Sequence, residues 1–179
     1  MGITKKAALL TAAVMMLSGC GKTEDTTTVY NSMKTTAETK EPQELEKYII
    51  TCAEVAYRTI SEYENELPNT MEVTDETMIS DVLQYDMSIA EDYSVYMQLI
   101  STDLFEFTVI RAAEENIDAV KLMLDKRLNY LREQAAYYPS QVAAADAALT
   151  GEINGYCYLI CCENAADLQK RLMFYVLRN

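Results

Sequence analysis

No histidine and no tryptophan occur in the 179 residues. The missing imidazole removes the commonest general base, the commonest metal ligand and every nucleophile arrangement that depends on His. Glycine is scarce as well, with five in the chain and none spaced as a phosphate-cradling loop, so no nucleotide-binding loop is expected. Positive charge is the third shortage: 15 Lys and Arg stand against 28 Asp and Glu, a net charge of -13. A surface that acidic is repelled by nucleic acid and anionic lipid and favours cationic partners. Calcium has no Asp-x-Asp-x-Asn/Asp-Gly loop to occupy. No metal, cofactor or nucleic acid is therefore expected, and enzyme becomes the minority reading.

What is present begins with an address. Lys5 and Lys6 precede the apolar run Ala7 to Leu17, which is the length of a signal h-region and too short to span a bilayer. The run closes on Leu17-Ser18-Gly19-Cys20, which resembles the lipobox of bacterial lipoproteins. That resemblance implies cleavage before Cys20, a diacylglyceryl group on its thiol and residence on the extracytoplasmic face of the cell membrane. Each buried methylene contributes roughly 0.8 kcal/mol, so two acyl chains anchor stably where one is marginal. Residues 1-19 are read as the signal peptide. Residues 20-42 carry many Thr and few large apolar side chains, the composition of a disordered tether, while 43-179 are read as one domain.

Within that domain the expected class is α+β: an antiparallel sheet of two hairpins packed with a long crossover helix, a C-terminal helix and two N-terminal helices. Leu45, Ile49, Cys52, Ala56, Ile60, Tyr63 and Leu67 form one helical stripe that stops at Pro68. Thr74 is expected to cap a second helix that turns Met78, Ile79, Val82 and Leu83 inward and stops near Gln84. Two alternating runs flank Ser101-Thr102-Asp103; a three-residue loop there pairs Leu99 with Phe105, Met97 with Phe107 and Val95 with Val109. A long helix capped by Asn116 buries Ile117, Val120, Leu124, Leu128 and Leu131 and ends before Pro139. Asn154-Gly155 demands a type I′ turn, which pairs Ile153 with Tyr156, Gly151 with Tyr158 and Leu149 with Ile160. A last helix, capped by Asn164, turns Leu168, Leu172, Tyr175 and Val176 inward.

Both registers give each hairpin one apolar and one mixed face. Leu99, Phe105, Phe107, Val109, Tyr158 and Ile160 make the core face. Tyr96, Gln98, Glu106, Thr108 and Glu152, with Ser94 and Thr150 beside them, make the candidate binding face. The order of elements behind the lipobox and tether resembles a Gram-positive lipoprotein domain, domain-of-unknown-function family 4358. Leu67-Pro68, Met71 to Glu76, Glu91 to Met97 and Gly155 to Ile160 carry the likeness, over roughly residues 53-178. The family lends no activity and no catalytic residues.

Cys52, Cys157, Cys161 and Cys162 read as small buried hydrophobes. Cys157 and Cys161 lie about 13 Å apart along a strand and cannot bridge. Acid is concentrated early: residues 44-92 hold thirteen acidic and two basic side chains, net -11, against eleven and eight, net -3, over 93-179. Two function classes follow. The first is a membrane-anchored module that binds a ligand or a cationic protein or small-molecule partner through the mixed face. The alternative is an envelope enzyme that uses carboxylates such as Glu106 and Glu152 without His. The lipobox has a direct check: cells fed an alkyne fatty acid are expected to label the wild-type chain and leave Cys20→Ala unlabelled, and equal labelling of both overturns lipidation.

Overall fold

The computed structural model describes residues 49-63, 65-100 and 102-178. The signal, Cys20, the tether, the domain boundary at 43 and Leu45 lie outside the described residues. The described chain is α+β, with a five-stranded antiparallel sheet. Its strands are β1 (Thr70–Glu72), β2 (Asp92–Gln98), β3 (Glu106–Arg111), β4 (Leu149–Ile153) and β5 (Tyr156–Cys161). They lie in the order β1-β2-β3-β5-β4, which makes β3 the central strand. The helices are α1 (Cys52–Ser61), α2 (Ile117–Tyr130), α3 (Pro139–Ala147) and α4 (Ala165–Leu177).

The β4-β5 hairpin forms as the sequence dictates. Asn154 and Gly155 take φ of 50° and 82°, the two positive values a type I′ turn needs. Ile153 pairs with Tyr156, Gly151 with Tyr158 and Leu149 with Ile160. The Tyr158 ring lies over Gly151 so closely that a Cβ there would fall 2.2 Å from its hydroxyl.

The β2-β3 register differs from expectation by one residue. Tyr96 pairs with Phe107, Val95 with Thr108 and Met97 with Glu106, and the strands end at Gln98 and resume at Glu106, so no three-residue loop joins them. Matching apolar to apolar across this hairpin fails because helices cover both faces of the sheet. One face, with Phe105, Phe107, Val109, Tyr156, Tyr158 and Ile160, packs on α1 and α4; Tyr96 and Leu149 are partly buried against it. The other, with Val95, Ile110, Cys157, Leu159 and Cys161, packs on α2, α3 and the segment around Ile79 and Leu83. Leu99, expected in the core, is 57 % exposed. Thr108 and Glu106, expected near solvent, are fully buried.

The N-terminal helices are shorter than the stripes suggest. Thr51 is extended and accepts from the Glu54 N–H at 3.2 Å, so α1 starts at Cys52 and Ile49 stays outside it. It stops at Ser61, well before Pro68. Asp75, not Thr74, caps the next turn, accepting from the Thr77 and Met78 N–H groups at 2.8 and 3.1 Å. That turn, Met78–Val82, is π-helical, and the Leu83 N–H reaches the Met78 carbonyl at 3.0 Å. The widened turn keeps Ile79 and Leu83 inside and swings Met78 and Val82 outward.

In α2 the expected Val120, Leu124 and Leu128 are buried, and Leu131 follows in the π turn Leu131–Ala135. Asn116 occupies the N-cap position, but its amide donates to the Ile89 carbonyl instead of capping the helix. Pro139, read only as a terminator, is also the first residue of α3, which the sequence reading missed. In α4, Leu168, Leu172 and Val176 face inward while Tyr175 is half-buried and donates to Glu62.

Because both faces are interior, large side chains on either carry the fold. Phe107→Ala is expected to cost about 3-5 kcal/mol and Leu159→Ala about 2-5 kcal/mol in a denaturant titration. A loss near 0.5 kcal/mol for Leu159→Ala, the scale of a surface change, would mean that its face is open.

Candidate functional site

The five residues expected to share a binding face are divided between the two sides of the sheet. Tyr96 and Gln98 point toward the α1 and α4 side, where both are half-buried; the Gln98 side chain accepts from the Phe105 N–H at 3.0 Å. Glu106, Thr108 and Glu152 alternate onto the other side. Glu152 sits on an edge strand, exposed, with its carboxylate accepting from the Gly155 N–H at 2.7 Å. Glu106 is at the centre of the sheet and its carboxylate is bound elsewhere, so the carboxylate pair considered for catalysis is not assembled.

Glu106 meets Arg127 of α2. The guanidinium donates from Nε and Nη2 to Oε2 at 3.0 and 2.8 Å, a two-point contact with both side chains out of water. Tyr85 donates to Oε1 at 2.5 Å and lies 3.5 Å from the Thr108 hydroxyl. Burial, reinforced by the Glu106 charge, holds the Tyr85 phenol well above its ordinary range, so it remains a donor. Burial alone would weaken Arg127 as a cation; Glu106 beside it more than offsets this, and its protonation is strengthened. The sequence hinted at this cluster only through a charge at a helix position that periodicity assigns inward, between Leu124 and Leu131.

A strap of irregular backbone crosses the cluster. After the π turn, Gln84 adopts φ of 60°, a left-handed conformation rare for a residue with a Cβ. The reversal sends Tyr85 into the core, and Asp86 then accepts from the Ser88 N–H and hydroxyl at 3.0 and 2.5 Å. Clefts open on either side of the strap. One, about 360 Å³, lies between the strap and α2 and is lined by Val82, Asp86, Leu122, Lys126, Arg127 and Tyr130, among others. Its rim is apolar and accessible, with Val82 and Leu122 each 57 % exposed. The Tyr130 ring lies 5.0 Å from the Arg127 guanidinium carbon, covering one face of the cation. The other, about 770 Å³, is bounded by Glu76, Asp86, Met87 and Tyr93.

Elsewhere, Tyr57, Leu67, Pro68 and Tyr96 frame a cleft of about 310 Å³ beside β1, and Glu66, Asp103 and Glu163 border one of about 340 Å³ beside Cys162. Among the described residues no three His, Cys, Asp or Glu side chains are grouped to hold a metal ion. The four described thiols are free and buried. Burial pushes Cys157 and Cys162 up to about 11 and Cys161 to about 12, and raises Cys52 further. These thiols pack as small hydrophobes and are poor nucleophiles.

The sequence profile of the family described as Domain of unknown function (DUF4358) matches residues 63–162, more than half of the chain. The chain belongs to the DUF4358 family. No curated protein and no solved structure matches it. The DUF4358 span opens after α1 and closes before α4. It therefore holds the whole sheet, the strap, α2, α3, the ion pair and the 360 Å³ cleft, while the two helices that cover the Phe107 face stand outside it.

Removing one partner of the buried pair strands the other. Glu106→Gln is expected to cost about 3-5 kcal/mol by leaving Arg127 uncompensated, and Tyr85→Phe about 1-3 kcal/mol for one lost bond to a charged acceptor. In a double-mutant cycle the two losses should fall short of additivity by at least about 0.5 kcal/mol. Simple addition would mean that Tyr85 and Glu106 act independently.

Proposed function

We propose that this DUF4358 chain is a lipid-anchored, extracytoplasmic binding module whose ligand seat is the cleft between the strap and α2. The lipobox at Leu17 to Cys20 supports the anchor, and the Thr-rich composition of 20-42 supports a tether. In this reading the acyl chains on Cys20 supply the attachment; no helix among the described residues is long and apolar enough to cross a membrane. One observation carries the choice of seat: accessible apolar side chains, Val82, Leu122 and Tyr130, surround a cleft that contains the buried, oriented Arg127. Few polar groups fixed in a mostly apolar concavity of a few hundred Å³ is the usual make-up of a small-molecule site.

The excess acid over residues 44-92 sets a different preference for the rest of the surface. Cationic partners are drawn to it, and nucleic acid and bare anionic lipid are repelled. The reading is a binding one because Glu106 is spent on Arg127 and Tyr85, and Glu152 on its own turn. A photo-crosslinking amino acid at Leu122, in the full chain on intact cells, is expected to give an adduct of discrete added mass. The same amino acid at Leu177, equally exposed on α4, should give none. Identical patterns at the two positions would overturn the cleft as the ligand seat.

A further inference from the structure

We infer that the cleft between the strap and α2 takes a small apolar monocarboxylate, its carboxylate held by Arg127 and Lys126 and its apolar body by Val82, Leu122 and Tyr130. The inference rests on the reading of this cleft as the ligand seat and adds the chemical class. Arg127 supplies a donor that is already held in place. Its side chain is 8 % exposed, and its Nε and Nη2 are committed to Glu106, while the Tyr130 ring covers one face. Nη1 makes no hydrogen bond among the described residues, and it is not among the sealed-off polar atoms that lack a partner. The guanidinium is thus fixed on one edge and one face, with one donor edge left over in a residue that lines the cleft. A donor already immobilised loses little conformational freedom when a carboxylate arrives.

Charge around the cleft agrees with an acceptor ligand. Lys126 also lines it and forms no ion pair or hydrogen bond among the described residues. The opposing Asp86 has its Oδ1 engaged by Ser88, so unused donors outnumber unused acceptors. In a chain of net charge -13 the cleft differs in carrying two cationic side chains against one Asp in its lining. The cleft across the strap has Glu76 and Asp86 in its lining and the one beside Cys162 has Glu66, Asp103 and Glu163; neither has a Lys or Arg. The net negative charge of the whole molecule repels an anion at long range, which makes the two local donors necessary for it to bind. The volume, about 360 Å³, lies at the small end of the range for small-molecule sites.

Three probes with one tail and three head groups test this on the full chain: octanoate, octanol and octylammonium, followed by calorimetry and by NMR of the methyl groups of Val82 and Leu122. Octanoate is expected to bind saturably and about tenfold or more tighter than octanol, with both methyl groups shifting and octylammonium weakest. Lys126→Gln, an exposed change, should weaken octanoate about tenfold, leave octanol unaffected and keep the melting temperature. It replaces Arg127 variants, which strand Glu106 and can fail to fold. Equal binding of octanoate and octanol in the cleft overturns the carboxylate class while the cleft stands as a ligand seat. If none of the three shifts Val82 and Leu122, both the class and the seat fall.

Discussion

One ion pair in the interior sets where everything around it can sit. Glu106 occupies the first position of the central strand and Arg127 the inward face of α2, with side chains 1 % and 8 % exposed. Two desolvated charges are tolerated only when geometry is close and the remaining lone pairs are used, and here Tyr85 uses one. The contact therefore fixes three things together: the rotation of α2 about its axis, the height of α2 along β3 and the inward turn of the strap. An apolar pair of the same volume would pack as well and would specify less, because greasy surfaces slide and a two-point guanidinium contact does not.

The two sides of the sheet are built by different means. The Phe107 side is aromatic and aliphatic and is closed by helices from the two ends of the described chain. Their mutual contact is reinforced by Glu62, which accepts from Arg171 at 2.8 Å and from Tyr175. The Glu106 side mixes Val95, Ile110 and Leu159 with the polar cluster and is closed by the strap, α2 and α3. Accessible concave surface associated with the buried cluster gathers on this second side, where the covering backbone is irregular and leaves gaps that two regular helices would have filled.

What the sequence made legible follows from how local each signal is. The Asn154-Gly155 turn needs two positive φ values, a demand two adjacent residues can state alone, and the register of β4 and β5 follows by counting. Buried positions of α2 and α4 are stated by spacing within one helix. The β2-β3 register was not legible, because pairing apolar with apolar presumes one wet face, and Glu106 on β3 looked like a marker of water when its partner lies twenty-one residues away in α2. The same holds for the candidate site: by sequence Glu106 reads as a surface carboxylate, Tyr85 carries no local signal, and Arg127 is marked only by its place between Leu124 and Leu131. The α3 helix had a signal in Pro139 before an Ala-rich run, read as an ending only.

The thiols carry a consequence for how the chain would fold under oxidising conditions. Cys157 and Cys161 lie in the core on one side of the sheet, Cys52 and Cys162 in the core on the other, so the β-sheet itself stands between the two sets. Native packing acts as a protecting group: each sulfur is kept protonated and away from oxidant. The same four sulfurs become mutually reachable once the chain is unfolded, where any pairing across the sheet would be incompatible with the native layers. Oxidation thus competes with folding rather than with the folded state.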